Sequence, residues 1–139
     1  MRLVFDTNVV VSALLWRGTP YRLLEAARQE PGIKLYSSPA LLDELADVLA
    51  RPFAGQRLAL IGKTAHDVLA DYSDVIELVE PDEVPRVVPT DPDDDQVIAA
   101  ALAAGADCIV SGDGDLLEMA VFQDIPIIPA GEMLRRIEH

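Results

Sequence analysis

Cysteine is nearly absent from this chain: Cys108 stands alone among 139 residues. An internal disulfide is therefore excluded, and the thiol, set in the apolar run "CIV", reads as a small core residue of a reduced, cytoplasmic protein. Basic residues are also scarce, with 11 Lys and Arg against 24 Asp and Glu and a formal net charge of −13. That balance argues against binding nucleic acid through a broad basic face. A polyanionic substrate stays compatible with it where metal ions neutralise the acids on which the substrate lands. Long hydrophobic runs are missing as well. Asp6 interrupts the apolar N-terminus, so no signal peptide is expected, and no run reaches the length of a membrane span.

Half of the residues are hydrophobic, enough for a real core, and the length fits one domain over residues 1–139. Short strands are expected at 2–5, 33–38, 108–110 and 125–128. Helices are expected at 8–16, 21–30, 39–50, 64–76, 92–104, 116–122 and 132–137, with Thr19 as a cap and Pro20 opening the second of them. Residues 51–63 scatter Arg51, Arg57 and Lys63 among apolar positions and resist assignment, and 77–89 read as an extended, proline-punctuated connection. Strands alternating with helices imply an α/β class, three-layer α/β/α, with a central, mainly parallel sheet. In such sheets sites form at the carboxyl ends of the strands.

Asp6 directly follows the first strand, and Asp113 in "SGDGD" falls just after strand 108–110, which places both at that edge. Glu44 is located by helical phase, at about 100° per residue. Leu41, Leu45, Val48 and Leu49 define the buried stripe of helix 39–50, with Asp43 and Asp47 opposite and Glu44 on its border. The stretch "TDPDDDQ" yields to the same treatment. Asp91 serves as cap and Pro92 as first helical residue, while Val97, Ile98, Ala101 and Leu102 set the inward direction. Asp94 then lies near the centre of the inward stripe, whereas Asp93 and Asp95 are expected to face solvent as first-turn acids. A carboxylate on the core side is costly unless paired or bound to a metal. The choice of Asp94 over Asp95 rests on helical phase alone.

Asp6, Glu44, Asp94 and Asp113 come from four separate segments that the fold could gather. Clustered carboxylates repel and raise one another's pKa unless a cation joins them. An all-oxygen set favours Mg²⁺ or Mn²⁺ over zinc, and neither histidine, His66 or His139, is placed to help. Such a site suits phosphodiester hydrolysis, and no Ser or Cys nucleophile with a histidine partner is evident.

The segments "VFDTNVVVSALLW", "SSPALLDEL", "DPDDDQVIAAALAAGADCIVSGDGDLL" and "IPIIPAGEML" together resemble the PIN-domain ribonucleases. The branch they look most like is the VapC-like toxins of toxin–antitoxin pairs. The resemblance covers nearly the whole chain, is most specific in "DTN" and "SGDGDLL", and is thin over 51–89. It implies a Mg²⁺- or Mn²⁺-dependent endoribonuclease in which Asp6, Glu44, Asp94 and Asp113 bind metal and act in catalysis. Asn8 and Ser111 fall where the family keeps small polar supporting residues. Asp115 reads as an assisting acid or as a cap for the helix at "LLEMAVF", and Asp91 as a cap or supporting residue. An RNA substrate, an antitoxin partner with a basic segment, and a homodimer are further implications.

Two other readings stand beside it. "FDTN" and "GDGD" echo the aspartyl-nucleophile phosphatases of haloacid dehalogenase type, but that mechanism wants a second acid where Asn8 stands, and no lysine is suitably placed. A receiver-type phosphoacceptor lacks the same features. A catalytically silent PIN-like binding module is expected to have lost at least one acid, and all four are present.

Overall fold

The computed structural model describes residues 1–87 and 91–138. Residues 88–90, including the end of the expected connection and Thr90 of "TDPDDDQ", and His139 lie outside them. The chain runs β1 (Arg2–Phe5), α1 (Thr7–Leu15), α2 (Thr19–Gln29), β2 (Lys34–Ser37), α3 (Pro39–Leu49), α4 (Pro52–Ile61) and α5 (Ala65–Ser73). It continues through β3 (Ile76–Leu78), α6 (Pro92–Ala104), β4 (Cys108–Val110), α7 (Gly114–Met119), β5 (Val121–Phe122), β6 (Ile125–Ile128) and α8 (Ala130–Ile137).

The six strands form one sheet in the order β3-β2-β1-β4-β6-β5, parallel throughout except for the antiparallel β5–β6 pair. Alternation along each strand feeds two cores, as a sheet covered on both faces requires. Leu3, Phe5, Leu35, Cys108 and Val110 join Val10, Leu23, Leu45 and Met133 on one face. Val4, Tyr36 and Ile109 join Val97, Ile98, Ala101 and Leu116 on the other. Each large side chain so buried contributes roughly 1.5–3 kcal/mol relative to exposure. The mainly parallel sheet flanked by helices matches the expected class. Among the described residues no helix is long and apolar enough to cross a membrane.

The sheet order positions the site. From β1 the chain builds outward through β2 and β3, then returns to place β4 on the other side of β1. The crevice between β1 and β4 is therefore a topological switch point, where the loops leaving adjacent strands diverge. Backbone bonds from Asp6 N to the Val110 carbonyl (2.9 Å) and from Ser111 N to the Ile128 carbonyl (3.1 Å) hold those loops to the sheet.

Local chemistry explains most boundaries. Ser38 caps α3 by accepting from Leu41 N, and Thr64 with Asp67 forms a capping box at α5. Gly105, at φ 60°, stops α6 in the left-handed conformation that a residue with a Cβ resists. Several expectations need correction. Gly18 rather than Thr19 is the N-cap of α2, leaving Pro20 in its first turn. Residues 76–78, expected as the end of helix 64–76 and the start of the connection, pair with β2 as an edge strand. The helix expected at 116–122 begins at Gly114 and ends at Met119, because Ala120 takes φ 66° and Val121–Phe122 pair with β6. Leu102, expected inward, is 36% exposed, and the small Ala99, Ala100 and Ala104 pack instead.

Candidate metal centre

At the switch point a polar cleft of about 160 Å³ opens beside the carboxyl ends of β1 and β4. Asp6, Glu44, Asp91, Asp93, Asp94 and Asp113 line it, with Asn8, Val48 and Arg51. All four acids expected at the site thus face one cleft, and so do Asp91 and Asp93.

Asp6 directly follows β1 at the N-cap position of α1, and it is only 5% exposed. Ser111 Oγ donates to Asp6 Oδ2 at 2.8 Å and accepts from Asp113 N at 2.9 Å. One hydroxyl thereby fixes the acids that follow two neighbouring strands. Burial raises the Asp6 pKa, the Ser111 bond opposes it, and the Asp113 charge raises it further. Glu44, half-buried on α3, is pushed up to about 7, mainly by burial. A hydrogen bond with the Thr7 side chain counters this, while contact with Asp93 adds to it.

Asp91, Asp94 and Asp113 each offer one carboxylate oxygen, and these three atoms lie within 4.8 Å of one another. Asp94 is 3% exposed, and its Oδ2 is buried without a hydrogen-bond donor. Burial, followed by the Asp113, Asp91 and Asp6 charges, pushes its pKa up to about 8. A buried acceptor with no donor, surrounded by further acceptors, is unfavourable in itself and suited to a cation. The oxygen-only donor set fits a hard divalent ion.

Asp91 combines two roles, capping α6 by accepting from Asp93 N at 3.1 Å while facing Asp94 and Asp113. Two expectations are corrected. Asp95 does not face solvent: it is 7% exposed, and its Oδ1 accepts from Val87 N at 2.9 Å. The cap of α7 is Asp113, whose Oδ1 accepts from Asp115 N and Leu116 N, and Asp115 is exposed. Asp93 is exposed as expected, yet its side chain reaches Glu44. His66 is exposed.

The family model described as the PIN domain matches residues 2–115, a span that contains every acid of the cleft. The chain belongs to the PIN domain family. The match stops before β5, β6 and α8, so the part of this PIN domain that carries its acids is also the part that carries the family pattern. No curated protein matches the chain.

Sequence reasoning missed Asp93 and Arg51, which line this PIN-domain cleft, and Thr7, which stands behind it. Thr7 is buried against Glu44, and its only signal was its place between Asp6 and Asn8. Arg51, the sole cation lining the cleft among the described residues, sits in the segment that resisted assignment.

Proposed function

We propose that the chain is a divalent-metal-dependent endoribonuclease, one domain spanning residues 1–139, with Mg²⁺ or Mn²⁺ held by Asp6, Glu44, Asp94 and Asp113. PIN domains are typically metal-dependent nucleases. The observation that carries the reading here is the buried, donor-free Asp94 Oδ2, close to the Asp91 and Asp113 carboxylates in an open cleft. A bound cation would lower the pKa of a water and neutralise charge on the phosphodiester.

The chain's own groups supply orientation. Ser111 holds Asp6 and the Asp113 loop in one geometry, and Thr7 orients Glu44. Asp91 adds a carboxylate that completes the cluster while securing the start of α6. Arg51 offers a planar donor fork to a phosphate oxygen, offsetting the repulsion between RNA and six carboxylates. The −13 charge limits non-specific attraction to polyanions, so productive binding depends on the cation.

A role as the toxin of a toxin–antitoxin pair fits the same site. An antitoxin with a basic segment would block the acidic cleft, and a homodimer in the cytoplasm is the proposed working form. Incubating single-stranded RNA with the protein and Mg²⁺ or Mn²⁺ tests the central point. Cleavage is expected, lost on chelation and in Asp6→Asn. Turnover of a small phosphomonoester without RNA cleavage would overturn the reading in favour of a phosphatase.

A further inference from the structure

A second cleft, of about 120 Å³, opens where α1 ends, and its lining contrasts with the first. Arg17, Arg57 and Lys63 line it together with Trp16 and Tyr21, and among the described residues no acid does. In a chain with more than twice as many acids as bases, three of the 11 basic residues gather there. Among the described residues none of the three has a carboxylate within ion-pair distance. Acids lie in its surroundings: Asp71 and Glu25, the latter paired with Arg28, line an adjoining cleft with Arg17 and Lys63, and Asp67 feels the Lys63 charge.

Of the two aromatics Trp16 is exposed and Tyr21 half-buried. Trp16 is 42% exposed although the Arg57 guanidinium lies 5.5 Å from its ring centroid. Arg57 Nε donates to the Leu15 carbonyl at 2.8 Å, which fixes that guanidinium at the end of α1. Arg17 lies 4.4 Å from the Tyr21 centroid and also donates to the Tyr21 hydroxyl. Two aromatic rings, each beside a guanidinium, in a cleft lined by three cations form the combination that single-stranded nucleic acid uses: stacking for bases and cations for phosphates.

The two clefts are joined by two helices that pack together, α1 and α4. Asn8, in the first turn of α1, lines the acidic cleft and Trp16, its C-cap, the aromatic one, about 12 Å apart at 1.5 Å per residue. On the α4 side, Arg51 lines the acidic cleft and Arg57 the aromatic one, about 9 Å apart. A strand with one phosphate at the carboxylates therefore reaches Trp16 within a few nucleotides, passing Arg51.

We propose that the cleft at Trp16, Tyr21, Arg17, Arg57 and Lys63 is a subsite for single-stranded RNA running away from the acidic cleft. Bases stack on the two rings, and the three cations hold the backbone. The proposal rests on the ribonuclease reading for the identity of the strand, and it explains how so acidic a protein retains one. Trp16 and Tyr21 accept any base, so this subsite adds affinity and directs the strand without reading sequence.

Trp16 is the sole tryptophan, so its fluorescence reports on this cleft alone. With EDTA present, a ~10-nucleotide oligouridylate is expected to quench it, and Arg17→Ala and Lys63→Ala each to weaken binding and flatten the salt dependence by about one unit of slope. In cleavage assays with Mg²⁺, Trp16→Leu is expected to raise KM for the oligonucleotide about tenfold. Its kcat, and cleavage of a dinucleotide that fills only the acidic cleft, stay unchanged, and Trp16→Phe restores the KM. Cleavage with no Trp16 response and an unaltered KM in Trp16→Leu would overturn the subsite and leave the ribonuclease standing. Quenching by RNA without cleavage under any divalent metal would support the subsite and sink the ribonuclease. Quenching that follows protein concentration and ignores RNA would mark a contact between copies of the chain, and that too would overturn the proposal.

Discussion

The Ser111 hydroxyl donates to Asp6 Oδ2 at 2.8 Å across the β1–β4 switch point. The same oxygen accepts the Asp113 amide at 2.9 Å, so a fully buried side chain sets the spacing of two acids from different strands. Ser111→Ala removes both bonds and leaves the fold's apolar contacts in place. Outer supports of this kind typically contribute 10- to 100-fold in metal affinity or activity. The Mn²⁺ concentration needed for half-maximal RNA cleavage should rise by about that range, with an unchanged circular dichroism spectrum. An unaltered metal requirement would remove Ser111 from the site's design.

Asp94 and Asp95 are adjacent and both buried, yet they serve different partners. Asp94 Oδ2 lacks a donor and faces carboxylates, whereas Asp95 Oδ1 holds the Val87 amide. Asp94→Asn should abolish Mn²⁺ binding measured by calorimetry. Asp95→Asn keeps an oxygen acceptor and should bind Mn²⁺ nearly as wild type. Asp95→Ala should lose about 1 kcal/mol of stability from the unpaired amide. If the Asp95 variants lose metal and the Asp94 variant keeps it, the assignment is reversed.

Glu44 and Asp94 titrate near 7 and 8 in the metal-free protein, against ordinary values of 4.5 and 3.8. Between the ordinary and the raised values the native state holds protons that the unfolded chain has released. Stability must then fall as pH rises through that window. Calorimetry with EDTA should show Tm decreasing from about pH 5 to about pH 8, and saturating Mg²⁺ should cancel the decrease. Apparent metal affinity should climb over the same interval, since binding displaces the protons. A metal-free Tm that rises across it would contradict the crowded cluster.

Thr64 and Asp67 exchange hydrogen bonds at the start of α5 (3.0 and 3.1 Å), a helix of which no described residue lines the acidic or the aromatic cleft, Val68 and Asp71 lining only the adjoining one. Thr64→Ala should cost about 1 kcal/mol in denaturant unfolding. RNA cleavage per folded molecule should be unaffected, which makes this variant a control for stability loss alone. A loss of activity beyond the unfolded fraction would tie α5 to the site.

The amino-acid order alone determined the sheet's class and placed Asp6 and Asp113, because an acid directly after a short apolar strand has only one edge to occupy. Helical phase sufficed for Glu44 and Asp94: Leu41, Leu45, Val48 and Leu49 are indeed the buried residues of α3, and Val97, Ile98 and Ala101 are fully buried in α6. Phase fails where a partner comes from an irregular segment. Asp95 is buried because Val87, eight residues earlier, brings an amide to it, and no periodicity encodes that contact. It fails likewise for Arg51, which lines the acidic cleft only because α4 packs against α1 and α3. Local patterns report which face of an element is apolar. Which polar groups meet across elements is decided by packing, and here packing set an acidic cleft and a basic, aromatic one at opposite ends of the same two helices.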